Sequence, residues 1–262
     1  MKNEMTFLQG KKVLITRDAS QTGSLKAMLM EDGMDVISVP TISIADPPSW
    51  QAFDKVASTI DEFDWMVFSS VNAVIKTRSR LSELCIDLTK TSNLKIAAVG
   101  DQTAKEIELS GWKASLIPDR FQAEDLLEKL LATNMAGKKI WIPRALKARA
   151  FLIEELEKAD AVVVLTPVYQ NVVPFENKEL LATALKDEKL DWITFTSAST
   201  VKNFFNILNR PFLQEELPKL ASIGSITTET LNEFSLVPAF TANPQNLMGL
   251  RQGIINWEKD HS

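Results

Sequence analysis

Hydroxyl groups recur in this chain where short apolar runs give way to amphipathic stretches. Ser69 and Ser70 follow the run that begins at Asp64, and Ser197 and Ser199 follow the run that begins at Asp191. Thr103 comes shortly after Gly100, and Thr227 and Thr228 shortly after Gly224. At the start of a helix, unpaired backbone N–H groups and the positive end of the dipole suit a carboxylate or phosphate, so these turns are candidate anion sites. The same residue types also cap helices without any ligand. A second signal is charge. From Lys138 to Arg149 the chain carries Lys138, Lys139, Arg144, Lys147 and Arg149 and no acid, and Arg17 occupies the matching place in an earlier run. Such a cluster fits an anionic small molecule or a solvated helix face. Third, Tyr169 is the single tyrosine. Its phenol, with an ordinary pKa of about 10, can donate a hydrogen bond or act as a weak general acid at neutral pH. The alternative is a packed ring with a satisfied hydroxyl.

Other chemistries find little support. One cysteine, Cys85, cannot form an intrachain disulfide or a cysteine zinc cluster, and a single histidine, His261, argues against histidine catalysis. No metal site is expected. There is no G-x-G-x-x-G and no G-x-x-x-x-G-K-[ST], so neither a dinucleotide nor a P-loop site is expected. Asp64 and Asp191 read as structural residues at strand starts. The six Trp and eight Met are spread along the chain and read as core.

The elements that position these residues are legible as a repeat. Lys12-Val13-Leu14-Ile15-Thr16-Arg17 aligns with Lys139-Ile140-Trp141-Ile142-Pro143-Arg144, 127 residues on. The same register matches Asp64-Trp65-Met66-Val67-Phe68-Ser69-Ser70 to Asp191-Trp192-Ile193-Thr194-Phe195-Thr196-Ser197, and after a short deletion Val99-Gly100 meets Ile223-Gly224. Tyr169 breaks the symmetry, because its partner is Ile42. Each copy alternates β-branched runs with amphipathic stretches, the pattern of βαβ units around a parallel sheet. Strands are expected near 12–17, 35–39, 64–69, 94–99 and 114–117, then near 139–143, 162–166, 191–196, 219–223 and 236–239. Helices are expected near 20–32, 49–60, 71–82, 102–110 and 122–133, then near 147–159, 177–187, 199–210, 226–234 and 244–257. Ten strands would make two sheets of five. Gly33 and Gly111 are placed to end helices in the left-handed conformation, with Asp160 and Ser235 as their repeat partners.

Composition sets the class. With 262 residues, 45% hydrophobic and 24% charged, the chain can build a sizeable core without staples. Its 29 Lys and Arg against 34 Asp and Glu give a formal charge of −5, which argues against a nucleic-acid binder. No apolar run reaches the length of a membrane span, and Met1–Thr16 lacks a signal-peptide core, so a cytoplasmic location without a membrane partner is expected.

Taken in order, Val13-Leu14-Ile15-Thr16-Arg17, Asp64-Trp65 through Val74, Ala98-Val99-Gly100-Asp101-Gln102-Thr103-Ala104, Arg144 with Arg149, Tyr169, Phe195 through Val201 and Ile223-Gly224 with Thr227 resemble the uroporphyrinogen-III synthase family, from about Lys11 to Leu250. Ser225 stands where that family commonly has proline, and Ala145 and Ser235 stand at usual glycines. The resemblance implies an α/β protein of two flavodoxin-like, doubly wound parallel-sheet domains from an internal duplication, joined by a two-strand linker. Domain one would be 1–38 plus 172–262, and domain two 41–168, with Tyr169 at the cleft. It further implies a monomeric, cofactor-independent cyclising lyase of haem biosynthesis. Its substrate would be hydroxymethylbilane, a linear tetrapyrrole polycarboxylate, closed with inversion of ring D. Tyr169 would assist departure of the hydroxyl, and Arg17, Ser69, Ser70, Thr103, Arg144, Lys147, Arg149, Ser197, Ser199, Thr227 and Thr228 would bind carboxylates. The alternative is a two-lobed cytosolic binding or sensor module that holds an anionic small molecule without chemistry.

Overall fold

The computed structural model describes residues 8–17, 19–91, 93–118, 123–147 and 151–261. Two compact units form, one from Met1–Ser43 with Val172–Ser262 and one from Ile44–Asn171. The strands are β1 (Lys12–Ile15), β2 (Asp35–Ser38), β3 (Ser43–Ala45), β4 (Trp65–Phe68), β5 (Lys95–Ala98), β6 (Ala114–Leu116), β7 (Lys139–Ala145), β8 (Val162–Val172), β9 (Trp192–Phe195), β10 (Lys219–Ser222) and β11 (Phe240–Thr241). The helices are α1 (Ala19–Glu31), α2 (Gln51–Ala57), α3 (Val71–Glu83), α4 (Asp101–Leu109), α5 (Ala123–Leu131), α6 (Phe151–Lys158), α7 (Lys178–Asp187), α8 (Ala198–Leu208), α9 (Ser225–Glu233) and α10 (Leu247–Asp260).

One sheet runs β11-β10-β9-β1-β2 and the other β3-β8-β7-β4-β5-β6. From β11 to β2, and from β8 to β6, neighbouring strands are parallel. Matching strands through the repeat, both sheets show the order second, first, third, fourth, fifth. In each, the first two strands come from one repeat and the last three from the other. The strand order therefore reverses between β1 and β9 in one sheet and between β7 and β4 in the other, where open α/β sheets bind ligands.

Both faces of each sheet are covered, and the side-chain period of two decides which residue goes where. In β4, Met66 and Phe68 enter one apolar cluster while Trp65 and Val67 enter the other. In β1, Leu14 faces one cluster and Val13 and Ile15 the opposite one. The two strand-start aspartates do matching work. Asp191 accepts the Lys12 N–H at 2.8 Å and Asp64 accepts the Lys139 N–H at 2.9 Å, each tying a third strand to a first strand of the other repeat. Gly33 and Gly111 adopt φ of +91° and +79°, and Asp160 and Ser235 take the same left-handed conformation at 59° each.

The expected two sheets of five become sheets of five and six. β3, unforeseen in the sequence, adds an edge beside β8. β8 runs on through Pro167 to Val172 instead of stopping near 166, because its partner shifts register between Arg144 and Ala145 and the irregularity accommodates the proline. The last strand lies at Phe240–Thr241 and not at 236–239. Leu236 instead closes the helix end, donating its N–H to the Leu231 carbonyl at 3.1 Å while its side chain is buried beyond the left-handed Ser235.

Candidate active site

The carboxyl ends of β4 and β7 gather the first set of predicted residues. Ser70 ends the β4 turn in extended conformation and caps α3, its Oγ accepting the Ala73 N–H at 3.2 Å. The same Oγ lies 3.2 Å from the Tyr169 hydroxyl. Tyr169 is 9% exposed, its ring belonging to the cluster that holds Phe68 and Trp141, so the ring is packed and its hydroxyl has Ser70 as a partner. Its backbone carbonyl accepts the Leu146 N–H at 2.8 Å, and Ala145 is its register partner in β7. Arg144 is thereby brought beside it. Burial pulls the Arg144 guanidinium below its ordinary pKa, and its charge interaction with Tyr169 opposes that. Ser69 and Lys147 are exposed, and Arg149 lies outside the described residues.

Thr103 sits in the first turn of α4 and is 5% exposed. Helix α4 begins at Gly100 with no side-chain cap.

The other sheet repeats this plan with differences. Arg17, half-buried, follows β1, and Thr16 before it donates to the Thr194 carbonyl at 2.8 Å. Ser197 caps α8 by accepting the Thr200 N–H at 3.2 Å, and Thr200 returns a bond to the Ser197 N–H at 3.2 Å. Ser199 is exposed. Helix α9 starts at Gly224 without a side-chain cap, as α4 does at Gly100. Thr227 is 3% exposed. Thr228 Oγ1 donates to Ser222 Oγ at 2.9 Å and shares a 2.6 Å hydrogen bond with Thr241 Oγ1, so that hydroxyl is engaged within its own sheet end.

Sequence reading missed the network around Thr41, which joins Thr16, Thr200 and Asn203. A signal was present: the repeat partner of Thr41 is Val168, a polar-for-apolar change next to the Ile42 and Tyr169 change that stood out. Among the described residues, no three His, Cys, Asp or Glu side chains gather as a metal site, and no helix is long and apolar enough to cross a membrane.

Parallel sheets with order reversal define a doubly wound α/β protein, and its hydroxyl-capped and glycine-started helices with flanking arginines are candidate anion sites at the strand ends. Residues 23–250 match the family described as Uroporphyrinogen-III synthase HemD, and the chain belongs to that family. It is 32% identical over 258 residues to the uroporphyrinogen-III synthase of Synechococcus elongatus, covering 96% of this chain and 97% of that protein. It is 30% identical to a putative uroporphyrinogen-III synthase of Methanothermobacter thermautotrophicus, covering 85% and 89%. In fold it is similar to uroporphyrinogen-III synthetase from Helicobacter pylori, with a TM-score of 0.62 at 19% identity over 94% of this chain and 99% of the other. A mutant uroporphyrinogen III synthase from Thermus thermophilus gives 0.61 at 17% identity over 96% and 100%.

Proposed function

We propose that this chain converts hydroxymethylbilane to uroporphyrinogen III and water, acting as a monomer in the cytoplasm without a cofactor. The observation that carries the reading is the family match over residues 23–250, joined to the Ser70–Tyr169 hydroxyl pair beside Arg144.

The physical demand is geometric. An electron-rich pyrrole expels a protonated hydroxyl readily, and the linear chain closes unaided to the unrearranged isomer, so catalysis means holding the reacting ring carbons in the other arrangement. Carboxylates of the substrate are received where strands end: at the first-turn N–H groups of α4 and α9, and at Arg17 and Arg144, with Lys147 and Arg149 as further cations. The partial burial of Arg144 strengthens its interaction with any carboxylate brought against it.

Tyr169 supplies the proton. Ser70 Oγ accepts from Ala73 N–H and can give its own proton to the Tyr169 oxygen; in that orientation the phenol proton is left for the departing hydroxyl. Water leaves and the C–O bond electrons go with it. The cationic carbon is attacked by the substituted carbon of ring D. The resulting spiro intermediate fragments and recloses, and the ring proton released at the end returns to Tyr169, so nothing is consumed. Incubation with freshly made hydroxymethylbilane, oxidation of the product and isomer analysis test this. Type III product is expected. Substrate binding with no gain of type III over the spontaneous reaction would favour the non-catalytic binding module.

A further inference from the structure

The polar network of the unit that contains β1 centres on Thr41, whose side chain is fully buried. Its N–H donates to the Thr16 carbonyl at 2.9 Å. Its hydroxyl reaches the same carbonyl at 3.2 Å and the Thr200 carbonyl at 3.1 Å, and its own carbonyl accepts from Asn203 Nδ2 at 2.8 Å. Thr16 immediately precedes Arg17, while Thr200 and Asn203 lie in the first turns of α8, whose cap is Ser197. One buried residue therefore ties the arginine turn after β1 to the capped helix start after β9, across the point where strand order reverses.

The repeat shows that the fold itself does not require this. In the other sheet the matching positions are Val168 for Thr41, Pro143 for Thr16 and Ala73 for Thr200, and the same strand order forms with an apolar contact there. Val168 and Ala73 are as buried as Thr41. A hydroxyl buried at such a place carries a desolvation cost that an apolar residue avoids, so its presence on one side only points to a local task.

We propose that Thr41 is a positioning residue, fixing the spacing of the Arg17 turn and the α8 N-terminus so that carboxylates of one substrate are received together. This rests on the reading that those turns hold the substrate. Thr41→Val keeps the volume and removes the hydroxyl, and the Thr16 carbonyl keeps the backbone N–H of residue 41. The expected result is a rise in KM for hydroxymethylbilane of about 3- to 10-fold, the worth of one hydrogen bond, with kcat little changed. Thr41→Ser, which restores the hydroxyl, should return KM to near the wild-type value. An unchanged KM in Thr41→Val, or a loss of kcat that Thr41→Ser does not rescue, overturns the positioning role. If Thr41→Val does not fold, Asn203→Ala removes the bond to the Thr41 carbonyl and carries the same expected rise, and unchanged KM there overturns the proposal equally. Wild-type protein assayed in parallel separates the two levels: no type III product from wild type overturns the assigned reaction, whereas normal wild-type turnover with an unaffected variant overturns the positioning role alone.

Discussion

Tyr169 has a buried ring, and in the proposed mechanism its hydroxyl, 3.2 Å from Ser70 Oγ, is the proton donor. Tyr169→Phe keeps the packing and removes the proton, so kcat should fall by about 10²- to 10⁴-fold with the fold intact by circular dichroism. A rate within twofold of wild type would reduce Tyr169 to packing. Thr77 offers a control from the same unit. Its hydroxyl is buried in α3 with no hydrogen-bond partner among the described residues. Thr77→Val should stabilise the protein by about 1 kcal/mol in denaturant melts, because an unmet polar group is replaced by a methyl of the same shape. Activity should not change. The two residues also differ in legibility. Tyr169 stood out as the one tyrosine where the repeat has Ile42. The unmet hydroxyl of Thr77 could not be seen, because satisfaction depends on neighbours brought together only by folding.

At the scale of elements, the four helices that follow central strands divide into two kinds. Helices α3 and α8 begin with serines whose hydroxyls cap their own helix, while α4 and α9 begin with glycines that cap nothing. The sequence offered capping and ligand binding as alternatives for every turn, and the structure shows side-chain capping at α3 and α8 but not at α4 and α9. A side chain added at Gly100 meets nothing within 4 Å, whereas one at Gly224 would meet Gln245 Oε1 at 2.5 Å. Gly100→Ser is therefore the cleaner probe. Its hydroxyl would occupy the α4 N–H groups, changing stability by only a few tenths of a kcal/mol while raising substrate KM about 3- to 10-fold. Equal KM and a rise in melting temperature would show that α4 only needed a cap. Helix and strand types were mostly readable from periodicity, but ends were not: Leu236-Val237-Pro238 has a strand's apolarity, yet Leu236 is used by the helix end and Pro238 has no N–H to give a ladder.

For the molecule as a whole, the repeat made both sheets foreseeable, while β3 was not, since three residues at an edge carry too little pattern. Long-range charge was also invisible. Glu258 near the end of α10 is 3% exposed and meets Lys11 at 2.9 Å, Lys219 at 3.0 Å and the Trp192 indole N–H at 2.8 Å, tying the last helix to the starts of β1, β9 and β10. Burial alone would raise its pKa, but the bonds from Lys11, Lys219 and Trp192 together hold it below the ordinary 4.5. A carboxyl depressed in the folded state stabilises fully above its ordinary value, and that contribution disappears as pH falls from 4.5 through the lower folded value. Glu258→Gln should thus cost about 2–4 kcal/mol at pH 7, since two ammonium groups lose a buried carboxylate, and should flatten the acid limb of the stability curve. Urea melts from neutral to acid pH would show it. An unchanged acid limb would remove Glu258 from the account of acid sensitivity.

In the proposed reaction this protein imposes shape on a reactive polyacid with its arginines, hydroxyls and backbone N–H groups. The most direct measurement is a single turnover with protein in molar excess over hydroxymethylbilane, after exhaustive treatment with a chelator and gel filtration. Nearly pure type III uroporphyrinogen, formed at the rate of untreated protein, is expected. Type I product, formed no faster than in buffer, would contradict it.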